Sequence, residues 1–175
     1  MDDRCLRVVR LRLPGLTELL YVLRQHGRSV DDERYPGAER LLAADGHVVA
    51  ATSPSRLIAA NVGDGALAAP VQPGMLVLDV RAVGHRLGRS PMRWTGTTRG
   101  AIVEFDDLVW DAAATCDDMD WAERVRDGAG FHALYDFVWG DANEPPPGAQ
   151  RRALWGAMVA QLGDHLVVVD RHRQL

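Results

Sequence analysis

The hydrophobic period changes near residue 105, and no other feature constrains the fold as much. Before that point apolar residues come in short runs bounded by glycine, proline and polar clusters. From Asp106 onward they recur at helical spacing. This pattern predicts an α+β fold, with strands concentrated in the first part and a helix-rich C-terminal half. A chain of 175 residues is long enough to fold as one domain without disulfide or metal staples. We therefore expect one domain over residues 1–175. The alternative is a division near residue 105, into a mixed α/β part and a mainly helical part.

From Arg4 to Leu13, Val9, Leu11 and Leu13 share one face of a strand and Leu6 and Val8 the other, so both faces are partly buried. Leu16, Leu19, Leu20 and Leu23 have the spacing of an amphipathic helix that Gly27 ends. Pro36, Leu41 and Leu42 predict a second helix, stopped by Gly46. His47 to Ser53 reads as a strand, and Ser53 caps a short helix from Pro54 to Asn61. A loop from Gly63 to Gly74 precedes a strand from Met75 to Asp79. Asp79 then caps a helix near Val80 to Gly88 that Gly84 weakens. Gly100 to Phe105 reads as a further strand, after which Asp106 caps a helix reaching Cys116. Asp117 or Asp118 opens another helix, with Trp121 and Val125. Phe131 to Val138 is a helix ended by Gly140, and Gln150 to Leu162 is one closed by Gly163. His165 to Asp170 is the last strand. Together these make a mixed sheet of four to five strands with helices covering one face.

All 20 basic residues are arginine. The lack of lysine excludes Schiff-base enzymes, the P-loop lysine and Ser-x-x-Lys acylation. It also suggests a GC-rich, bacterial genome. Neither GxSxG nor GxGxxG occurs, and the six histidines form no zinc pattern. Asp107 and Asp111 could converge on one helix face, but Asp117, Asp118 and Asp120 diverge, so neither metal nor cofactor is expected. Cys5 and Cys116 lie far apart in sequence and are expected to be free thiols. The first residues are acidic, arginines interrupt the apolar ones that follow, and no apolar run approaches the ~18 residues of a membrane span. The expectation is a cytoplasmic protein that does not enter membranes.

Charge is segregated. Residues 1–103 hold 14 arginines and 10 acids, whereas residues 104–175 hold 6 arginines and 14 acids. Two surfaces follow. The acidic block Glu104 to Asp127 carries Trp110 and Trp121, and suits a basic protein partner docking on Asp117, Asp118, Asp120 and the two tryptophans. The segment 81–99 is acid-free; its Arg86, Arg89, Arg93 and Arg99 suit a phosphate or carboxylate, with His85 as the candidate acid or base. The net acidity argues against nucleic acid. Because catalytic signatures are missing, the preferred reading is a non-enzymatic interaction protein of the inhibitor, immunity or adaptor kind. The alternative is a small enzyme or binding protein for an anionic ligand.

Overall fold

The computed structural model describes residues 5–29, 33–62, 66–89, 95–118, 120, 124 and 126–169. The strands are β1 (Cys5–Leu11), β2 (Leu20–Ser29), β3 (Glu39–Leu41), β4 (Ala43–Ala44), β5 (His47–Ala51), β6 (Val71–Leu78) and β7 (Leu166–Val169). The helices are α1 (Pro54–Ala60), α2 (Val80–Leu87), α3 (Gly96–Cys116), α4 (Ala129–Trp139) and α5 (Gly148–His165). The fold is α+β with a helix-rich C-terminal half, as the change of period predicts.

The seven strands of the described residues form one mixed sheet, ordered β4-β5-β2-β1-β6, with β3 beside β2 and β7 beside β5. β1 pairs antiparallel with β2 and parallel with β6, and β7 runs parallel to β5. β1 divides its side chains between two cores, as its sequence requires. Val9 and Leu11 face a large core shared with α2, α3, α4 and α5. Leu6 and Val8 face a smaller one, closed by Leu57 of α1 and by Leu67. Helices therefore cover both faces of the sheet and not one.

Other expectations are corrected. The leucines of 16–27 do not form a helix: Leu20 and Val22 point into the large core and Leu23 into the small one, so β2 is a strand buried on both sides. An apolar run of that kind carries no period-2 signal. Pro36 to Gly46 forms β3 and β4 in place of a helix, which raises the strand number above the expected four to five. Gly100 to Phe105 is not a strand but part of the 21-residue α3. There Ile102, Phe105, Leu108, Val109 and Ala112 fill the large core at helical spacing, and packing overrides the β preference of Ile102 and Val103. Asp106 thus sits within α3, and the cap is Thr95, whose hydroxyl accepts from the Thr98 amide. β6 begins at Val71, inside the expected loop, and Gly163 lies within α5.

The Ser53 and Asp79 caps form as read, accepting from the amides of Arg56 and Ala82. Gly84 has a purpose that its low helix propensity hides. A Cβ there would lie 2.7 Å from the indole of Trp155, a ring that is buried, sits 4.7 Å from Phe105 and donates to the Val80 carbonyl at 3.2 Å. Gly84 lets α2 and α5 approach. Gly84→Ala should therefore destabilise the fold by about 1–2 kcal/mol, the overpacking cost exceeding the ~1 kcal/mol gained in helix propensity. A urea melt checks the sign.

Candidate functional site

The sheet and the helical layer separate at one end and leave a cleft of about 630 Å³. β-sheet alternation supplies one wall. Arg24 and His26 point to the same side of β2 as Leu20 and Val22, and Arg7 lies opposite Arg24 in the β1–β2 ladder. α3 supplies the other wall through Glu104, Asp107 and Asp111, and α4 adds Phe131, His132 and Tyr135. Two arginines side by side in a sheet repel, so counterions are required. The Arg24 Nε lies 2.8 Å from Glu39 Oε2 and 2.7 Å from Asp111 Oδ2, and its Nη1 is 3.5 Å from Glu104. Asp111 also accepts the Glu39 amide at 2.7 Å, tying β3 to α3. His26 pairs with the other oxygen of Glu39.

A second set of contacts surrounds Trp110. Its indole donates to the Pro36 carbonyl at 3.3 Å and meets Tyr35 edge-on at 5.7 Å. The Arg126 guanidinium lies 3.9 Å above the Trp110 ring and reaches Asp106 Oδ2 at 3.0 Å. Beyond it an aromatic ladder runs along α4, with Phe131 stacked on Tyr135 at 5.9 Å and Trp139 tilted against Tyr135 at 5.8 Å. Tyr135 and Trp139 are 46% and 56% exposed. A small apolar cavity of about 40 Å³ beneath the ladder shares Asp106, Asp107, Phe131 and Tyr135 with the large cleft. Aromatic and acidic surfaces are therefore continuous.

Burial dominates the acids. It pushes the Asp111 carboxyl up to about 7, against the downward pull of Arg24 and the Glu39 amide. It pushes Asp106 up to about 6, against Arg126, and raises Asp107 as well. Asp106 and Asp111 thus hold a proton more tightly when folded than at the ordinary value of 3.8. The stability they contribute is complete below about pH 4 and is lost as pH rises through about 6 and then about 7. Melting temperature should fall across that window, and Asp111→Asn should flatten the fall. An unchanged slope would mean that Asp111 titrates normally.

Of the residues expected to dock a partner, Asp117, Asp118, Asp120, Trp110 and Trp121, only Trp110 lines the cleft among those described, although Glu104, Asp106, Asp107, Asp111 and Asp127 of the same acidic block also line it. Asp117 closes α3 in a left-handed conformation and pairs with Arg34, while also accepting from the Tyr35 hydroxyl at 3.2 Å. Burial and that hydrogen bond push Tyr35 up to about 12. Asp118 accepts from Gln161 at 2.8 Å and meets His165 at 3.2 Å. Asp120 is exposed, and Trp121 lies outside the described residues.

Among the described residues, the arginines of segment 81–99 line neither cavity. Arg86 donates to Thr98 at 3.1 Å, and Arg99 lies 5.7 Å from the Phe137 ring centre. Arg89 and His85 are exposed; Arg93 lies outside the described residues. The main-chain carbonyls of Leu87, Gly88 and Arg89 are instead gripped by Arg151 and Arg152 of α5. Among the described residues no ion pair joins this segment to the acidic block, and no three metal-ligating side chains cluster. Arg7, Arg24, His26 and Glu39 escaped sequence reasoning because only strand register brings them to α3. The ladder had a signal: Phe131, Tyr135 and Trp139 recur every four residues.

The fold thus defines a mixed-sheet α+β domain whose polar cleft lies between sheet and helices. It is shared with the crystal structure of the SatS C-terminal domain in complex with bromine, at a TM-score of 0.62 and 16% identity, covering 94% of each chain. At that identity the likeness establishes the fold alone. No protein-family model matches the chain, and comparison with curated proteins finds no relative.

Proposed function

We propose that this protein is a non-enzymatic interaction module of the inhibitor, immunity or adaptor kind, and that it takes a basic protein partner in the cleft between β1–β2, α3 and α4. The carrying observation is the continuity of charge and aromatic surface. Six carboxylates line the cleft against three guanidiniums, and exposed Tyr135 and Trp139 stand beside them. Excess charge accelerates association and selects against wrong partners, while desolvated aromatics slow dissociation. The docking surface is therefore centred on Glu104, Asp107 and Asp127, with Trp110 as part of its wall, and lies away from Asp117 and Asp118. A bacterial, cytoplasmic setting fits the arginine-only basic set and the free Cys5 and Cys116. No described helix is long and apolar enough to cross a membrane.

The test measures binding to short basic peptides. Glu104→Gln, Asp107→Asn and Asp127→Asn together should slow association about tenfold and flatten its salt dependence. Trp139→Ala should speed dissociation at a cost of about 2 kcal/mol. A triple variant that binds like the parent would end this reading.

A further inference from the structure

The contacts of Arg126 have the form of a bound ligand rather than a surface ion pair. Its guanidinium lies over two rings, 3.9 Å from the Trp110 centre and 5.6 Å from that of Phe131. One nitrogen meets Asp106 Oδ2 at 3.0 Å. Flat aromatic walls with a carboxylate at one end suit a planar, delocalised cation better than a compact, strongly hydrated ammonium.

The fit is half made. Asp106 is only 7% exposed, yet its Oδ1 has no hydrogen-bond partner among the described residues, and neither has the Arg126 Nε. A guanidinium that presents its edge squarely to a carboxylate satisfies both oxygens with two parallel bonds. Arg126 makes one. The box is thus built for a fork that its present occupant does not fully supply, and it opens on the cleft that Asp106, Trp110 and Phe131 line.

We infer that Asp106, Trp110 and Phe131 form an arginine receptor, and that Arg126 is an internal stand-in displaced when an arginine of the partner polypeptide enters. This rests on the basic-partner reading above and adds to it the side chain recognised and the competitor that guards the site. An internal competitor weakens apparent affinity by the fraction of time the receptor is open.

Calorimetric titration with a glycine–arginine repeat peptide and its glycine–lysine counterpart tests this on the full chain. The parent protein should prefer the arginine peptide. Arg126→Gln should tighten that peptide about tenfold, if the box is open about a tenth of the time, and leave the lysine peptide unchanged. Arg126→Lys, a poorer occupant that keeps the charge, should shift in the same direction and serves if the glutamine variant does not fold. Asp106→Asn should remove the preference. If both peptides bind alike in all four proteins, the cleft still takes a basic partner but the arginine receptor is refuted. If neither peptide binds any of them, the cleft reading itself falls and takes the receptor with it.

Discussion

Replacing Arg24 with alanine should cost about 3–5 kcal/mol of folding stability, the range for removing one partner from a buried ion pair. Arg24 is 8% exposed and its guanidinium pairs with both Glu39 and Asp111. Without it, Asp111 faces the charges of Glu39 and Asp107 with no other guanidinium to offset them among the described residues. The loss should shrink in acid, where Asp111 takes up a proton. It should also shrink in an Asp111→Asn background, where less charge is stranded. Urea melts at two pH values give the numbers, with an unchanged slope confirming that stability alone has moved. A loss below about 1 kcal/mol would place the network with ordinary surface pairs.

The second large effect is expected at Arg151, a guanidinium satisfied by carbonyls alone. It is 5% exposed and donates to the carbonyls of Leu87 at 2.9 Å, Arg89 at 3.2 Å and Pro146. The first two lie at the C-terminal end of α2, where a helix leaves its carbonyls unpaired and carries partial negative charge. Arg151→Ala strands them and removes charge-assisted bonds of about 1.5–3 kcal/mol each, so a net loss of about 3–4 kcal/mol is expected after relaxation. Arg151→Lys should recover less than half, because an ammonium cannot span three carbonyls from one planar fork. Full recovery by lysine would reduce Arg151 to a point charge.

These two arginines show where the sequence was readable. The segregation of charge between the halves is structural in part: Arg24 and Arg34 of the first half pair with Asp111 and Asp117 of the second. Local signals held where the backbone acts alone, as at Ser53 and Asp79. They failed where burial on both faces erased a period, as in β2, and where β-branched residues were packed into a helix, as at Ile102 and Val103 of α3. Asp106 reads as a cap because a carboxylate before an apolar run is the usual cap signal; its burial against Arg126 depends on contacts that no local pattern encodes. The cleft needed register above all, since a one-residue slip in β2 would turn Arg24 and His26 to the opposite face.

β7 leaves α5 without an intervening loop and runs alongside β5, with Val48 facing Leu166 and Ala51 facing Val169. These partners are well over a hundred positions apart. At about 5–20 residues per second of synthesis, one edge of β5 waits roughly 6–24 s for its neighbour to be made. During that interval the nascent chain offers the apolar run Val48 to Ala51 as an open template, to any other strand that reaches it. The hazard in making this protein therefore lies on the ribosome, at a strand whose own segment was finished long before.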